Sequence, residues 1–136
     1  MKINKSLGEK CWVVPDGYIP QTTDGGSNNL SGYISHECVC ILNSGSKDAR
    51  IELSIYFEDA EPKFVEGIVV PAQRSCHLRM DQLQTDGQPV IERATPYSLI
   101  VNSSEPVVVQ MSRLDTTQNN MAFLSTMCFP VNNNEE

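Results

Sequence analysis

The chain has 136 residues, a length that suits one domain with one hydrophobic core of ordinary size. Seventeen acidic residues against ten lysines and arginines give a net charge of −7, which disfavours binding to the phosphate backbone of nucleic acids. No apolar run approaches the roughly 18 residues of a membrane span, and none follows Lys2 and Lys5 as a signal peptide requires. We therefore expect a cytoplasmic, water-soluble protein.

Short β-type runs follow one another along the chain, with turn residues about every ten positions. They cover residues 11–14, 34–42, 51–58, 64–70, 74–80, 97–102, 107–113 and 122–129. The sequence contains no long amphipathic helix, although short helical turns are expected at 81–83 and 115–122. This pattern predicts an all-β sandwich or barrel of about eight strands.

The run at 51–58 alternates most regularly. Its apolar set lies on one face and its polar set on the other: Ile51, Leu53, Ile55 and Phe57 against Glu52, Ser54, Tyr56 and Glu58. This alternation predicts a strand with one face in the core and the other towards water. Residues 74–80 repeat the pattern, with a strongly polar second face that includes His77 and Arg79.

Two other runs, 34–43 and 106–115, carry apolar residues on both alternating faces and enclose a few polar ones. A strand with one face in water does not have this composition. We therefore predict that the outer face of these strands is covered, most simply by another subunit. The enclosed polar groups are expected to have hydrogen-bond partners.

Polar residues of these two runs and of the run at 74–80 form the candidate site for a ligand or a subunit contact. They are His36, Glu37, His77, Arg79, Gln110, Arg113 and Asp115. Guanidinium groups favour carboxylates and phosphates, and amides suit sugars. The alternative, which we favour, is that Arg113 pairs with Asp115 or Glu37 and fixes a strand end or a subunit interface.

Neither catalysis nor a bound metal or other cofactor is predicted. The two histidines lie in no HxH or HExxH pattern, and no serine lies in a GxSxG elbow. Five cysteines, an odd number in a chain without an export signal, predict reduced thiols in the core. They are Cys11, Cys38, Cys40, Cys76 and Cys128, of which Cys38 and Cys40 would point the same way on one strand. Trp12, the one tryptophan, is expected in the core or at a subunit contact.

Two polar segments are expected at the surface as mobile chain. One is the glycine- and asparagine-rich loop at 21–32, and the other is the acidic, asparagine-rich end. The predicted organisation is a single domain over 1–136, with a core at about 8–129 and a flexible tail at 130–136.

A succession of short motifs in order resembles one family, the soluble sensory rhodopsin transducers, over about 8–129. The motifs are Cys11-Trp12, Gly17-Tyr18-Ile19-Pro20, Ile34-Ser35-His36-Glu37, Val39-Cys40-Ile41-Leu42-Asn43, Asp48-Ala49, Ile55-Tyr56-Phe57, Glu61-Pro62, Val70-Pro71-Ala72, Val108-Val109-Gln110, Arg113-Leu114-Asp115 and Leu124-Ser125-Thr126. The resemblance implies a jelly-roll β-sandwich assembled as a homotetramer, whose founding cyanobacterial member binds the cytoplasmic side of a membrane photoreceptor. It implies no catalytic residues.

Three functional hypotheses follow. The leading one is a noncatalytic cytoplasmic signalling or adaptor protein that acts through protein contacts of a homotetramer. The alternative is a module that binds a small sugar or anion without a rhodopsin partner, because the family's sandwich also resembles carbohydrate-binding modules. The third, an enzyme of unrecognised type, is the least favoured. The loop at 21–32 and the acidic tail depart from the family, so the partner is less firmly implied than the fold.

Overall fold

A computed structural model describes residues 5–22, 32–118 and 120–132 of the chain. Strands dominate this part: β1 (Glu9–Gly17), β2 (His36–Asn43), β3 (Ala49–Phe57), β4 (Lys63–Val70), β5 (Arg74–Arg79), β6 (Gln84–Thr85), β7 (Gln88–Pro89), β8 (Tyr97–Asp115), β9 (Ala122–Met127) and β10 (Phe129–Val131). A 3-10 turn at Met80–Gln82 lies where the sequence predicts a helical turn. Residues 23–31 of the predicted loop and 133–136 of the predicted tail lie outside the described residues, whereas Pro130 and Val131, expected in the tail, belong to β10.

The strands form two antiparallel sheets that share β8. One sheet has the order β10-β1-β8-β3-β4, and we call it the five-stranded sheet. The other has the order β5-β2-β8-β9, and we call it the four-stranded sheet. Their inner faces bury one common hydrophobic cluster. The all-β sandwich expected from the sequence is confirmed.

Strand β8 joins the two sheets, whereas the sequence predicts two separate strands, 97–102 and 107–113. Residues up to Ser103 pair with β1 and β3, and residues after Pro106 pair with β2 and β9. Between them the register of β1 jumps, because Cys11 pairs with Asn102 but Glu9 pairs with Val107. Proline is tolerated at such an irregularity, where its missing N–H interrupts no regular ladder. The polar residues before it therefore mark a change of sheet and not the end of a strand.

The alternation of apolar and polar residues at 51–58 is observed as alternating burial in β3. Ile51, Leu53 and Ile55 are buried, and Phe57 is half-buried against the core. Trp12 is a core residue, as expected, and its indole Nε1 donates hydrogen bonds to the carbonyl oxygens of Val107 at 2.9 Å and of Glu9 at 3.0 Å. The indole therefore ties β1 to β8 at the change of sheet.

The predicted run at 122–129 is divided between the two sheets. Its first part is β9, which pairs with β8, and Phe129 starts β10, which pairs with β1. Cys128 lies between them and is buried in the core. Residues 84–85 and 88–89 form a two-stranded hairpin, β6–β7.

Candidate functional site

The seven predicted site residues divide between the two faces of the four-stranded sheet. Successive side chains of a strand point to opposite faces. In β2, Val39 and Ile41 lie in the core, so Glu37 is directed inward and His36 outward. The same alternation directs Arg113 and Asp115 of β8 inward and Gln110 outward, and it places His77 and Arg79 of β5 on the outward side. The structure therefore contains two groups and not one cluster.

Glu37 is the centre of the inner group. Its side chain is 1% exposed, yet its carboxylate accepts three hydrogen bonds. The donors are the Tyr18 backbone N–H at 3.0 Å, the Tyr97 hydroxyl at 2.5 Å and the Arg113 Nε at 2.9 Å. A buried carboxylate requires such partners because it has lost its hydration.

Both ends of β8 meet at this carboxylate. Tyr97 and Arg113 are sixteen positions apart, which corresponds to roughly 50 Å in a straight strand. They contact the same side chain because β8 bends between the sheets. Glu37 thus connects the first half of β8, in one sheet, to the second half, in the other. We infer that the hydrogen bonds of Tyr97 and Arg113 to Glu37 hold the two sheets together at one end of the sandwich, and we call this contact the brace.

Arg113 also contacts the end of β1. Its Nη2 lies 3.4 Å from the Asp16 carbonyl oxygen and 3.9 Å from the Asp16 carboxylate, and its guanidinium lies 5.9 Å from the centre of the Tyr18 ring. Of the two partners considered for Arg113, Glu37 is the one observed. Asp115 instead accepts hydrogen bonds from the backbone and hydroxyl of Thr117 at 2.8 and 2.5 Å.

Burial dominates the electrostatics of the inner group. It raises the pKa of Glu37 above the ordinary value of a glutamate, against the opposing effects of the hydrogen bonds from Tyr97, Arg113 and Tyr18. Burial and the neighbouring Glu37 carboxylate raise the pKa of Tyr97 as well. The Tyr97 hydroxyl therefore remains a hydrogen-bond donor throughout the physiological pH range.

The outward group lies on what we call the outer face of the four-stranded sheet. The strand registers define this face as His36, Cys38, Cys40 and Leu42 of β2, Ser75, His77 and Arg79 of β5, Val108, Gln110, Ser112 and Leu114 of β8, and Phe123, Ser125 and Met127 of β9. His77 and Gln110 flank Cys40 from the two neighbouring strands. They line a shallow depression of about 220 Å³ together with Leu42, Ser75 and Met127.

Large apolar side chains remain exposed on this face in the single chain. Phe123 is 69% exposed, Met127 55% and Leu42 41%. Arg79, by contrast, forms an ion pair with Asp81. Its Nε and Nη2 donate hydrogen bonds of 2.7 Å to the two carboxylate oxygens of Asp81. The face thus combines apolar side chains with the polar groups of His77 and Gln110.

One polar network at a sandwich end escapes prediction from the sequence. Asp81, 3% exposed, also lies 3.5 Å from Arg93. Arg93 donates hydrogen bonds to the carbonyl oxygens of Ser35 at 2.7 Å and Pro20 at 3.0 Å. The buried Ser35 hydroxyl contacts the Thr116 hydroxyl at 2.9 Å. These partners are far apart in sequence, so no local spacing of residues predicts their contacts.

The thiols are all free. Cys38 and Cys40 point the same way, as predicted, with their sulfur atoms 3.8 Å apart. Burial raises the pKa of Cys38 to about 12, so its thiol is protonated at neutral pH. Cys38 and Cys128 are buried, and the other three are partly exposed.

Over 5–22, 32–118 and 120–132, no group of three or more His, Cys, Asp or Glu side chains is arranged to hold a metal.

Comparisons of the sequence and of the structure with known proteins point to the same family. The family model described as Anabaena sensory rhodopsin transducer matches residues 7–130. The crystal structure of Thermotoga maritima 1070 is similar with a TM-score of 0.78 and 35% sequence identity, over 91% of this chain and 96% of that one. The Anabaena sensory rhodopsin transducer is similar with a TM-score of 0.64 and 37% identity, over 79% of this chain and 90% of that one. No curated protein gives a significant match. In the part of the chain that the structure describes, no helix is long and apolar enough to cross a bilayer.

Proposed function

Because the chain belongs to the Anabaena sensory rhodopsin transducer family, we propose that it is a noncatalytic cytoplasmic signalling or adaptor protein acting through protein contacts of a homotetramer. A transducer-like role is what the family and structural matches support. The proposal adds the location of the protein, its assembly and the surface that makes the contacts.

The observation that carries the proposal is the outer face of the four-stranded sheet. Phe123, Met127 and Leu42 expose large apolar side chains there, in a chain whose net charge is −7. Large exposed apolar side chains on one face of a sheet are typical of sites of protein interaction. The doubly apolar composition of β2 and of the second half of β8 has the same explanation if other protomers cover this face.

The two polar groups have different roles in this proposal. The inner group of Glu37 and Arg113 braces the sandwich and contacts no partner. His36, His77, Arg79 and Gln110, on the outer face, are the candidates for subunit or partner contacts. Asp115 lies at the end of β8, where its carboxylate caps the following turn through Thr117.

The proposed partner is the cytoplasmic face of a membrane photoreceptor of the sensory rhodopsin type. The net charge of −7 suits such a partner, because cytoplasmic loops of membrane proteins are enriched in lysine and arginine. A signal is relayed if the tetramer has two arrangements that differ in affinity for the receptor.

The proposal is tested by binding to a sensory rhodopsin in lipid nanodiscs. The probe is Anabaena sensory rhodopsin, with empty discs of the same lipid as the reference, and affinity is measured by biolayer interferometry. We expect binding to the rhodopsin discs alone, weakened by Leu42→Glu on the outer face. The control is Val69→Glu, because Val69 is an apolar residue of similar exposure, 49%, on β4 of the other sheet. Equal binding to empty and rhodopsin-containing discs would overturn the proposal.

The second candidate function is binding of a small sugar or anion, favoured by the depression beside Cys40. His77, Gln110 and Ser75 offer hydrogen-bonding groups there, and Leu42 and Met127 offer apolar surface. Titration calorimetry with a panel of monosaccharides and inorganic anions tests this candidate. Saturable binding that weakens in His77→Ala and is unchanged in Arg50→Ala, an exposed position on β3 of the other sheet, would support it, and the absence of any binding heat would exclude it for the panel.

A further inference from the structure

Two thiols lie side by side on the outer face of the four-stranded sheet. Cys38 and Cys40 are two positions apart on β2, and their sulfur atoms are 3.8 Å apart. Both are free thiols, and Val39 between them packs into the core on the opposite side of the strand. Because alternate side chains of a strand share a face, the backbone itself holds the two sulfurs together. The pair is therefore a preorganised bidentate ligand for a metal that favours sulfur.

The number of available ligands decides which metal suits this pair. Structural zinc sites use four protein ligands and catalytic ones three, drawn from Cys, His, Asp and Glu. In residues 5–22, 32–118 and 120–132, no such side chain joins the two thiols to make a group of three. Calcium and magnesium are disfavoured because they prefer oxygen ligands. Cu(I) fits better, because thiolate and thioether sulfur select it and, as a closed-shell ion, it accepts two or three ligands.

The separation of the two sulfurs indicates room for a third ligand. With metal–thiolate bonds of about 2.3 Å, sulfurs that are 3.8 Å apart enclose an angle of roughly 110° at the ion. Such a bent arrangement leaves one side of the ion open. Met127 is a source of the third ligand, because it lines the same depression as Cys40 and is 55% exposed. A methionine side chain is flexible, so its thioether can move to the ion.

The neighbours of the pair suit the charge of a copper complex. One Cu(I) between two thiolates leaves an excess of one negative charge. The strand registers place Arg79 opposite Cys38, and they place His77 opposite Cys40. The guanidinium of Arg79 offsets the excess charge, and His77 can hydrogen-bond a ligand sulfur. The depression beside Cys40 gives the ion its route, with the partly exposed Cys40 thiol as the first contact.

We propose that the thiolates of Cys38 and Cys40, with the Met127 thioether as third ligand, bind one Cu(I) ion per chain. On binding, the two S–H bonds break and two S–Cu bonds form, and both protons leave to solvent. The ion arrives and remains as Cu(I), so no oxidant or reductant takes part. All three ligands come from one chain. The inference therefore goes beyond the proposed signalling function and does not depend on the homotetramer.

Competition with a chelator tests the site in the full-length protein. Reduced protein is titrated without oxygen into the Cu(I) complex of bicinchoninate, whose colour is lost as the protein removes the ion. Cys38→Ser, Cys40→Ser and Met127→Leu each remove one proposed ligand and keep a side chain of similar size. Cys11→Ser is the matched control, because Cys11 is also a partly exposed free thiol but lies on β1 of the other sheet. Circular dichroism checks that each variant is folded.

We expect the wild type and Cys11→Ser to remove one Cu(I) per chain with the same affinity. Loss of a group that merely orients a ligand weakens metal binding about 10–100-fold, so loss of either thiolate should weaken it at least about 100-fold. Loss of the uncharged thioether in Met127→Leu should weaken it about tenfold. Because Cys38 is buried, Cys40→Ser decides the test if Cys38→Ser does not fold.

Three results of this titration would contradict the proposal. A Cys40→Ser variant that binds Cu(I) as tightly as the wild type would overturn the site. An equal loss of affinity in Cys11→Ser would also overturn it, because any exposed thiol would then account for the binding. An unchanged affinity in Met127→Leu would overturn the three-sulfur arrangement.

X-ray absorption at the copper edge of the wild-type complex provides a second measurement that needs no variant. The proposed site predicts a shell of three sulfur atoms at about 2.3 Å from the ion. A shell that contains nitrogen, as a histidine ligand such as His77 would supply, would contradict the sulfur-only site.

Discussion

Replacing Arg113 by methionine tests the brace between the two sheets. The change keeps an unbranched apolar stem and removes the guanidinium that lies 2.9 Å from the Glu37 carboxylate. Removing one partner of a buried ion pair costs about 3–5 kcal/mol, because the remaining charge stays buried without compensation. Glu37 retains the hydrogen bonds from Tyr18 and Tyr97, and Arg113 is itself 20% exposed. We therefore expect the lower end of that range, about 3 kcal/mol.

The assay is urea unfolding at fixed protein concentration and at several pH values. The pKa of Glu37 is already raised by burial, and loss of the Arg113 charge raises it further. A carboxyl group whose folded pKa exceeds its unfolded pKa adds stability that is full below the unfolded value. That stability is lost as the pH rises through the folded value. The variant should therefore be close to wild type near pH 4, and its deficit should grow as the pH rises through the raised pKa of Glu37.

Arg50→Met is the matched control, because Arg50 lies on β3 with an exposed side chain, and the hydrogen bond to the Ser104 hydroxyl is donated by its backbone N–H and survives the substitution. It should change the free energy of unfolding by less than about 0.5 kcal/mol. Equal effects of the two substitutions, or a deficit in Arg113→Met that does not depend on pH, would refute the assignment of Arg113 as the compensating charge of Glu37.

Three further outcomes follow from the structure. Asp81→Asn removes a buried carboxylate shared by two arginines and should lower the stability of the protein by about 1–3 kcal/mol, measured by urea unfolding. Gly8→Ala should destabilise it by at least about 1 kcal/mol in the same assay, because Gly8 has a φ of +100° and an added Cβ would collide with the Val107 carbonyl. The thiols of Cys38 and Cys128 should resist iodoacetamide at pH 8 in the folded protein and react after unfolding, as mass spectrometry of labelled peptides would show, because burial raises the pKa of both. Rapid labelling of either thiol without unfolding would contradict its burial in the folded protein.

The sequence predicts those features of the fold that depend on local alternation. The inward side chains of β3 could be assigned from it because apolar and polar residues alternate without exception between Ile51 and Glu58. The continuity of β8 could not, because Pro106 and the serines before it are also what a loop between two strands contains. Only the pairing with β1 and β2 shows that the chain changes sheet there.

The candidate site shows the same limit. The sequence indicates that Glu37 and Arg113 are enclosed and considers their pairing, but it cannot show that Tyr97 reaches the same carboxylate from the other end of β8. Alternation along β2, β5 and β8 is sufficient to divide the seven candidates between two faces once the strand registers and the direction of one residue are known. The salt bridges of Asp81 with Arg79 and Arg93 depend on the 3-10 turn and on a distant loop, for which the sequence has no periodic signal.

The affinity for a sensory rhodopsin in the dark and under illumination is the measurement that tests the central claim most directly. A transducer must distinguish two states of its receptor, so the account predicts dissociation constants that differ by about fivefold or more between dark and illuminated nanodiscs. Leu42→Glu should weaken binding in both states. Binding of equal strength in the two states would contradict a signalling role, even if the protein binds the receptor tightly.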